Sequence, residues 1–137
     1  MSYGYIHTFT IKACNLPPVC AHSDCNQHIL PGRYIFHSDD IKTYVHMLVR
    51  RIGMVVADME EPYAQWVDHN ATESFKQGVS ANIFIETSNI SIHACDPQRT
   101  LRVCIFTCKE HDAEEAVRFS EDWWLGECSQ SSTIEVL

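Results

Sequence analysis

Residues 78–108, GVSANIFIETSNISIHACDPQRTLRVCIFTC, decide the fold of this chain. Apolar runs at 79–86, 90–95 and 101–108 are rich in β-branched residues and predict three strands. The polar residues ETSN interrupt the first two runs, and DPQR separates the last two, with Pro97 presetting φ for a turn. Connections this short join antiparallel neighbours, so the stretch predicts a meander of hairpins.

Outside this stretch the pattern predicts one more strand and two helices. Residues 5–11 alternate as a strand, and a helix begins near a cap at Ser38 and ends before Gly53. A second helix is predicted over 110–125, ended by Gly126. The first helix carries an apolar stripe of Ile41, Val45, Leu48, Val49 and Ile52.

The remaining segments are less regular. Residues 54–59 predict a short strand and 60–77 a loop, whereas the tail 129–137 has no clear pattern. The order of elements predicts an α+β fold, an antiparallel sheet of about four or five strands with helices packed on one face.

Composition limits the number of domains, the kinds of partner and the cellular compartment that can be expected for this chain. The chain has 137 residues, 45% of them hydrophobic, which predicts a single domain over 1–137. A net charge of −8 disfavours nucleic-acid binding because phosphate backbones are repelled. No apolar run approaches the roughly 18 residues of a membrane span, and the N-terminus lacks the pattern of a signal peptide. Seven cysteines without such a signal are expected to be reduced thiols in the cytoplasm.

The segment CAHSDCNQH (20–28) raises the possibility of a zinc site. The four thiol and imidazole side chains of Cys20, His22, Cys25 and His28 are suitable zinc ligands. The long loop that usually separates two ligand pairs is missing, so reduced loop residues are the preferred interpretation.

The strand pairing brings two reactive side chains together. If DPQR is a four-residue turn, the numbers of paired residues sum to about 195, and Ser88 lies opposite Thr107 and beside Cys108. A serine in a polar break with a thiol across the sheet is consistent with a small reactive site. Each residue alone also has a structural explanation, a turn serine or a core cysteine.

Three motifs, taken together, resemble those of a known protein family. QGVS (77–80), ETSNISIH (86–93) and VCIFTC (103–108) resemble the small bacterial and archaeal S-adenosylmethionine decarboxylases, a pyruvoyl-dependent family. The separations agree with that family: eight residues from Ser80 to Ser88, five to His93, and fifteen more to Cys108. The resemblance covers about residues 75–110.

The resemblance implies a proenzyme that cleaves itself between Thr87 and Ser88, into chains 1–87 and 88–137. Ser80 would stabilise the tetrahedral intermediate and His93 would assist the elimination. Ser88 would become a pyruvoyl group, with no external cofactor.

The implied activity is decarboxylation of a small cationic amino-acid-type substrate. The pyruvoyl carbonyl would capture the amine of S-adenosylmethionine as a Schiff base, and Cys108 would be the proton donor. The product would serve spermidine synthesis. The resemblance also implies a homodimer with active sites near the interface, and neither membrane nor nucleic-acid partners are expected.

The chain departs from the family where substrate is recognised. The family's glutamate before the processed serine is Thr87, with Glu86 one residue earlier, and the position of its ribose-binding glutamate is Pro97, next to Asp96. Phe75 is the expected adenine-stacking aromatic. Glu86 and Asp96 also suit a basic amino acid, so an arginine or ornithine decarboxylase stays open, as does an unprocessed inactive paralogue.

One geometric difficulty accompanies this interpretation. Ser88 and His93 are an odd number of residues apart, so a regular strand directs them to opposite faces. A bulge or turn at 87–89 is therefore expected to bring them together.

Overall fold

The computed structural model describes residues 3–16 and 33–136. A short 3-10 turn, Ser74–Lys76, precedes the third strand. The strands and helices in chain order are β1 (Gly4–Lys12), α1 (Ser38–Arg51), β2 (Tyr63–Asp68), β3 (Gly78–Ile85), β4 (Ser88–Cys95), β5 (Thr100–Thr107), α2 (Ala113–Trp124) and β6 (Glu127–Val136). Across the described residues, neither helix combines the length and apolar character that crossing a bilayer requires.

The strands form one antiparallel sheet in the order β2-β3-β4-β5-β1-β6. The predicted α+β class is confirmed, although the sheet has six strands where four or five were expected. The additional strands, β2 and β6, are the two edges and are largely exposed. Edge strands pair through backbone hydrogen bonds without burying a regular apolar face, so their sequences show little alternation. Residues 54–59, expected to form a strand, contribute only the isolated bridge between Val56 and Ile85.

The predicted register of the central strands is confirmed. Cys95 pairs with Thr100 and Asn89 with Phe106, so the paired numbers sum to 195. The intervening turn closes with a hydrogen bond from Arg99 N to Asp96 O, 3.1 Å long. The proline-containing tetrapeptide therefore forms the predicted turn, whereas of ETSN only Glu86 and Thr87 form a turn, and Ser88 and Asn89 begin β4.

Both helices pack on one face of the sheet, as predicted. Side chains of α1, including Tyr44 and Leu48, are buried against those of α2, including Phe119 and Trp124. The first helix begins at Ser38 itself, and the capping position is His37 rather than the expected Ser38. Asp112 caps α2 by accepting a hydrogen bond from Glu115 N at 3.1 Å, which satisfies an otherwise unpaired helix donor.

A histidine pair, His7 and His111, lies on the helix-covered side of β1. His7 is completely buried, and its Nδ1 is 3.1 Å from Nε2 of His111. Its Nε2 is 2.9 Å from Oγ of Ser131 on β6. Burial, assisted by the nearby charge of His111, lowers the pKa of His7 to about 4. His7 is therefore neutral in the folded protein at neutral pH.

We expect this neutral histidine to make stability fall in mild acid. The unfolded chain binds a proton at His7 below about pH 6.5, whereas the folded chain binds it only near pH 4, so the contribution is complete above pH 6.5 and lost as pH falls toward 4. The expected loss is about 3 kcal/mol of unfolding free energy. Urea unfolding of the wild type and of His7→Gln at several pH values measures it. His46→Gln, which alters a half-buried histidine on α1, is the control and should keep the wild-type slope. An unchanged slope in His7→Gln would contradict the prediction.

Candidate active site

The face of the sheet opposite the helices is called the open face here, because no described helix packs against it. Its side chains form three rows across the strands, since paired residues project to the same side. The first row is Trp66, Ser80, His93, Arg102, Thr10 and Gln130; the central row is Ala64, Asn82, Ser91, Cys104, Thr8 and Ser132; the third row is Phe84, Asn89, Phe106, Ile6 and Ile134.

Two predicted site residues meet in the first row. Oγ of Ser80 is 3.0 Å from Nδ1 of His93, and Nε2 of His93 is 3.3 Å from the carbonyl oxygen of Phe75. A carbonyl can only accept, so Nε2 carries the proton and Nδ1 accepts from the Ser80 hydroxyl. The pair thus places a serine hydroxyl against an imidazole nitrogen, a suitable arrangement for proton transfer.

The other two predicted catalytic residues meet at the β3–β4 hairpin. Cys108 N donates a hydrogen bond to Ser88 Oγ at 3.1 Å, and Cys108 Sγ donates to Thr87 O at 3.5 Å. One residue therefore holds both the hydroxyl oxygen of Ser88 and the carbonyl oxygen of the preceding peptide. The Ser88–Cys108 proximity inferred from the strand register is present in the structure.

The hairpin turn itself is strained. Ile85 pairs with Ser88, so Glu86 and Thr87 alone reverse the chain, and Thr87 has φ of +60°. A β-branched side chain is rarely found in this left-handed region, where the conformation costs of order 1–3 kcal/mol. Thr87 is also exposed. The strain is located at the peptide that would be cleaved.

Of the bulge or turn expected at 87–89, the structure has a turn at Glu86 and Thr87 and no bulge, and the expectation that it brings Ser88 and His93 together was wrong. The two-residue turn completes the reversal, so β4 pairs regularly with β3 from Ser88 to Cys95. Ser88 and His93 therefore stay on opposite sides of the pleat, roughly 16 Å apart along the strand. Within one chain the site consists of two separate pairs, Ser80–His93 and Ser88–Cys108.

The proposed substrate-binding residues are not brought together. Phe75 is exposed beside His93, with Lys76 5.7 Å from its ring centre, and Glu86 is exposed in the hairpin turn. Asp96 is only 2% exposed; it accepts hydrogen bonds from Phe36 N at 2.8 Å and His69 Nδ1 at 2.6 Å. The expectation that Asp96 contacts substrate does not fit this burial, because both its oxygens bind the protein interior.

The zinc candidates Cys20, His22, Cys25 and His28 lie outside the described residues. Among the residues that the structure does describe, no group of three or more suitable side chains is arranged to hold a metal ion. Cys14, close to them in sequence, is buried with its thiol directed at Ile11 O, and burial raises its pKa to about 11.

Two exposed residues beside the Ser80–His93 pair were missed by sequence reasoning. Trp66, 73% exposed, lies across from Ser80, and Arg102 lies across from His93. A shallow groove of about 340 Å³ extends from His93 past Arg102 to Thr8 and Thr10. The pairing sum already placed Arg102 opposite His93, whereas Trp66 was hidden because its strand had been assigned to a loop.

Comparison with known proteins agrees with the fold and the motifs. The sequence model for S-adenosylmethionine decarboxylase matches residues 32–124, well over half of the chain. The crystal structure of the adenosylmethionine decarboxylase from Aquifex aeolicus VF5 is similar, with a TM-score of 0.66 at 12% identity, over 98% of this chain and 91% of that one. No curated protein sequence matches. The fold of the solved relative and the family match together show that this chain belongs to the S-adenosylmethionine decarboxylase family.

Proposed function

We propose that the chain is a self-cleaving proenzyme whose product is a pyruvoyl-dependent decarboxylase of S-adenosylmethionine, active in spermidine synthesis. The observation that carries the proposal is that Cys108 hydrogen bonds to both reacting groups. Its N–H binds the Ser88 hydroxyl and its thiol binds the Thr87 carbonyl, at a strained and exposed turn.

Self-cleavage begins as an acyl shift. Ser88 Oγ attacks the carbonyl carbon of Thr87, a C–O bond forms, the peptide C–N bond breaks, and the hydroxyl proton ends on the released nitrogen. Negative charge develops on Thr87 O, toward which the Cys108 thiol already points. Loss of the Ser88 α-proton to a base then breaks the Cβ–Oγ bond and releases Thr87 as a carboxylate. Water completes the conversion by displacing ammonia.

The pyruvoyl group would be built from Ser88 itself, so its fit depends on the residues around that position. Cys108 provides a backbone N–H and a thiol there, and no described charged side chain hydrogen bonds to Ser88. Once formed, the group supplies a carbonyl that takes up the substrate amine and the electrons left by carbon dioxide. The exposed thiol of Cys108 lies beside the hairpin and returns a proton to the substrate α-carbon.

Substitutions of Cys108 are expected to separate its two roles. Cys108→Ala should slow self-cleavage and lower decarboxylation per cleaved chain by about 100-fold or more, since general acids contribute this much. Cys108→Ser keeps a hydroxyl donor for Thr87 O, so cleavage should continue, but the weaker acid leaves decarboxylation low. Chain cleavage is read by mass and activity by carbon dioxide release, with Cys128→Ala on β6 as the control. Wild-type turnover in cleaved Cys108→Ala would contradict the role.

We further propose that the working enzyme is a homodimer joined through the open face. That face exposes four large apolar side chains, which a monomer would leave in water: Trp66, Phe84, Phe106 and Ile134. The two halves of the site also lie too far apart to cooperate in one chain. A second copy is the occupant that supplies the missing half.

The three rows of side chains on the open face indicate how two copies of the chain would pack against each other. The central row has mostly small side chains, such as Ala64, Ser91 and Cys104, so two sheets can approach there most closely. A two-fold axis through this row exchanges the first row with the third. His93 of the partner subunit then lies over Asn89, one residue from Ser88 at the end of β4, where the turn leaves Thr87 exposed. Each dimer would contain two complete sites.

S-adenosylmethionine is the first candidate substrate because the matching family is named for it. The second candidate, arginine or ornithine, is favoured by one observation: Asp96 is buried and Pro97 replaces the expected glutamate, so this segment offers no carboxylate to ribose hydroxyls. Incubating cleaved protein with each carboxyl-labelled substrate tests both. Carbon dioxide from S-adenosylmethionine is the expected result, and release from arginine or ornithine alone would overturn it in favour of the second candidate.

A further inference from the structure

The pair of His7 and His111 has a geometry that folding alone does not require. Ser131 Oγ, His7 Nε2, His7 Nδ1 and His111 Nε2 form a chain of two hydrogen bonds, 2.9 and 3.1 Å long. His111 Nδ1 is buried without a hydrogen-bond partner among the described residues. A buried polar atom left unsatisfied is costly and calls for an explanation, of which a catalytic role is one.

The three residues differ in exposure in a way that suits a nucleophile and its base. His7 is completely buried, whereas Ser131 is exposed on the edge strand β6. The serine lines a groove of about 270 Å³ between β6 and α2, together with Ala113, Val117 and Glu121. The reactive oxygen therefore faces solvent while the imidazole behind it is shielded from water.

We propose that Ser131, His7 and His111 form a second, serine-nucleophile site that accepts small acyl groups from activated esters. The site lies on the helix-covered side of the sheet, on β1, β6 and the segment before α2, and is distinct from the Ser88–Cys108 hairpin and from the open face. Ser131 is the nucleophile, His7 the general base, and His111 a positioning residue that holds the ring of His7. This is the order nucleophile, base and orienting group found in hydrolase triads.

The hydrogen-bond directions follow from the chemistry. His7 Nδ1 donates its proton to His111 Nε2, which leaves His7 Nε2 free to accept from the Ser131 hydroxyl. The lowered pKa of His7 keeps this nitrogen unprotonated at neutral pH. In the reaction the Ser131 Oγ–C bond forms and its proton moves to His7. The ester C–O bond then breaks, and the leaving alcohol takes that proton; water later removes the acyl group by the same route.

The groove limits the class of substrate. Its volume is below that of pockets that hold drug-sized ligands, so the acyl group must be small. Glu114 and Glu121 face a single guanidinium, Arg118, which disfavours an anionic acyl group. Among the described strands β6 pairs only with β1, and an edge strand leaves alternate N–H groups free to donate to an oxyanion. A neutral acetyl-sized ester fits these conditions.

A fluorophosphonate probe tests the proposal on the full-length protein. Attack forms an Oγ–P bond, expels fluoride and passes the serine proton to His7. We expect a covalent adduct on the peptide containing Ser131, absent in Ser131→Ala and retained in Ser129→Ala, which alters an exposed serine of the same strand. Hydrolysis of p-nitrophenyl acetate should fall in parallel. Labelling that maps elsewhere, or that Ser131→Ala leaves unchanged, overturns the proposal.

The roles of the histidines are tested by the rate of labelling. His7→Gln should slow it by about 100-fold, since a general base contributes at least this much. His111→Phe should also slow it, whereas His111→Glu should restore the rate because a carboxylate accepts the same hydrogen bond. Equal rates in His111→Phe and His111→Glu would exclude the positioning role. Self-cleavage at Ser88 is expected to be normal in Ser131→Ala, so the two sites succeed or fail independently.

Discussion

Ser88→Ala is expected to leave the protein as one uncleaved chain without decarboxylase activity. Alanine has no hydroxyl to attack the Thr87 carbonyl and no oxygen to eliminate, so neither the acyl shift nor the pyruvoyl group can form. Wild-type protein should instead separate into chains 1–87 and 88–137 by intact mass. The second chain should resist Edman degradation because its first residue has lost its amine.

Ser129→Ala is the matched control for Ser88→Ala. Ser129 is an exposed serine on β6, and its substitution should leave cleavage at the wild-type level. A single persistent chain in the wild type would contradict the proposed self-cleavage and favour the inactive paralogue. Cleavage at another peptide bond would instead relocate the processed residue away from the Thr87–Ser88 turn.

The second large effect is expected from complementation between two defective chains. Ser88→Ala lacks the nucleophile and His93→Ala lacks the imidazole, so neither should cleave when expressed alone. Expressed together with different tags, the His93→Ala chain should be cleaved, because its partner supplies His93. Roughly half of the His93→Ala chains should react if the chains pair at random.

Two controls exclude cleavage that does not depend on His93 of the partner subunit. A chain carrying both Ser88→Ala and His93→Ala, expressed with His93→Ala, supplies no imidazole and should give no cleavage. The Ser88→Ala chain should stay intact in every mixture. If co-expression of the single variants gives no cleavage while a dimer is present in solution, His93 does not act across the open face, and that arrangement is wrong.

Local sequence features predicted the centre of the sheet well. DPQR and ETSN mark the two hairpin connections, and the pairing sum of 195 between β4 and β5 follows from DPQR without knowledge of any distant contact. Ser88 and Cys108 could be placed side by side on that basis alone. The motif spacings predicted the family, which the family match confirms.

The positions of other site residues could not be predicted from local sequence patterns. β2 was expected to be a loop, because an exposed edge strand carries little hydrophobic alternation, and Trp66 was missed with it. Asp96 was expected to contact substrate from the turn, yet it accepts hydrogen bonds from His69 and from the backbone of Phe36. Both partners are far from Asp96 in sequence, so only the folded chain reveals the contact.

The sequence by itself determined the two hairpins and the register of β4 against β5, and with it the proximity of Ser88 to Cys108, because these depend on short-range backbone preferences and on the period of two along a strand. Only the tertiary structure decided that His93 meets Ser80 on the open face, away from Ser88, and that His7 joins His111 and Ser131. Those contacts depend on which strands become neighbours and which face the helices cover. The burial of apolar side chains from the whole chain sets both, since no short segment buries enough surface to decide them.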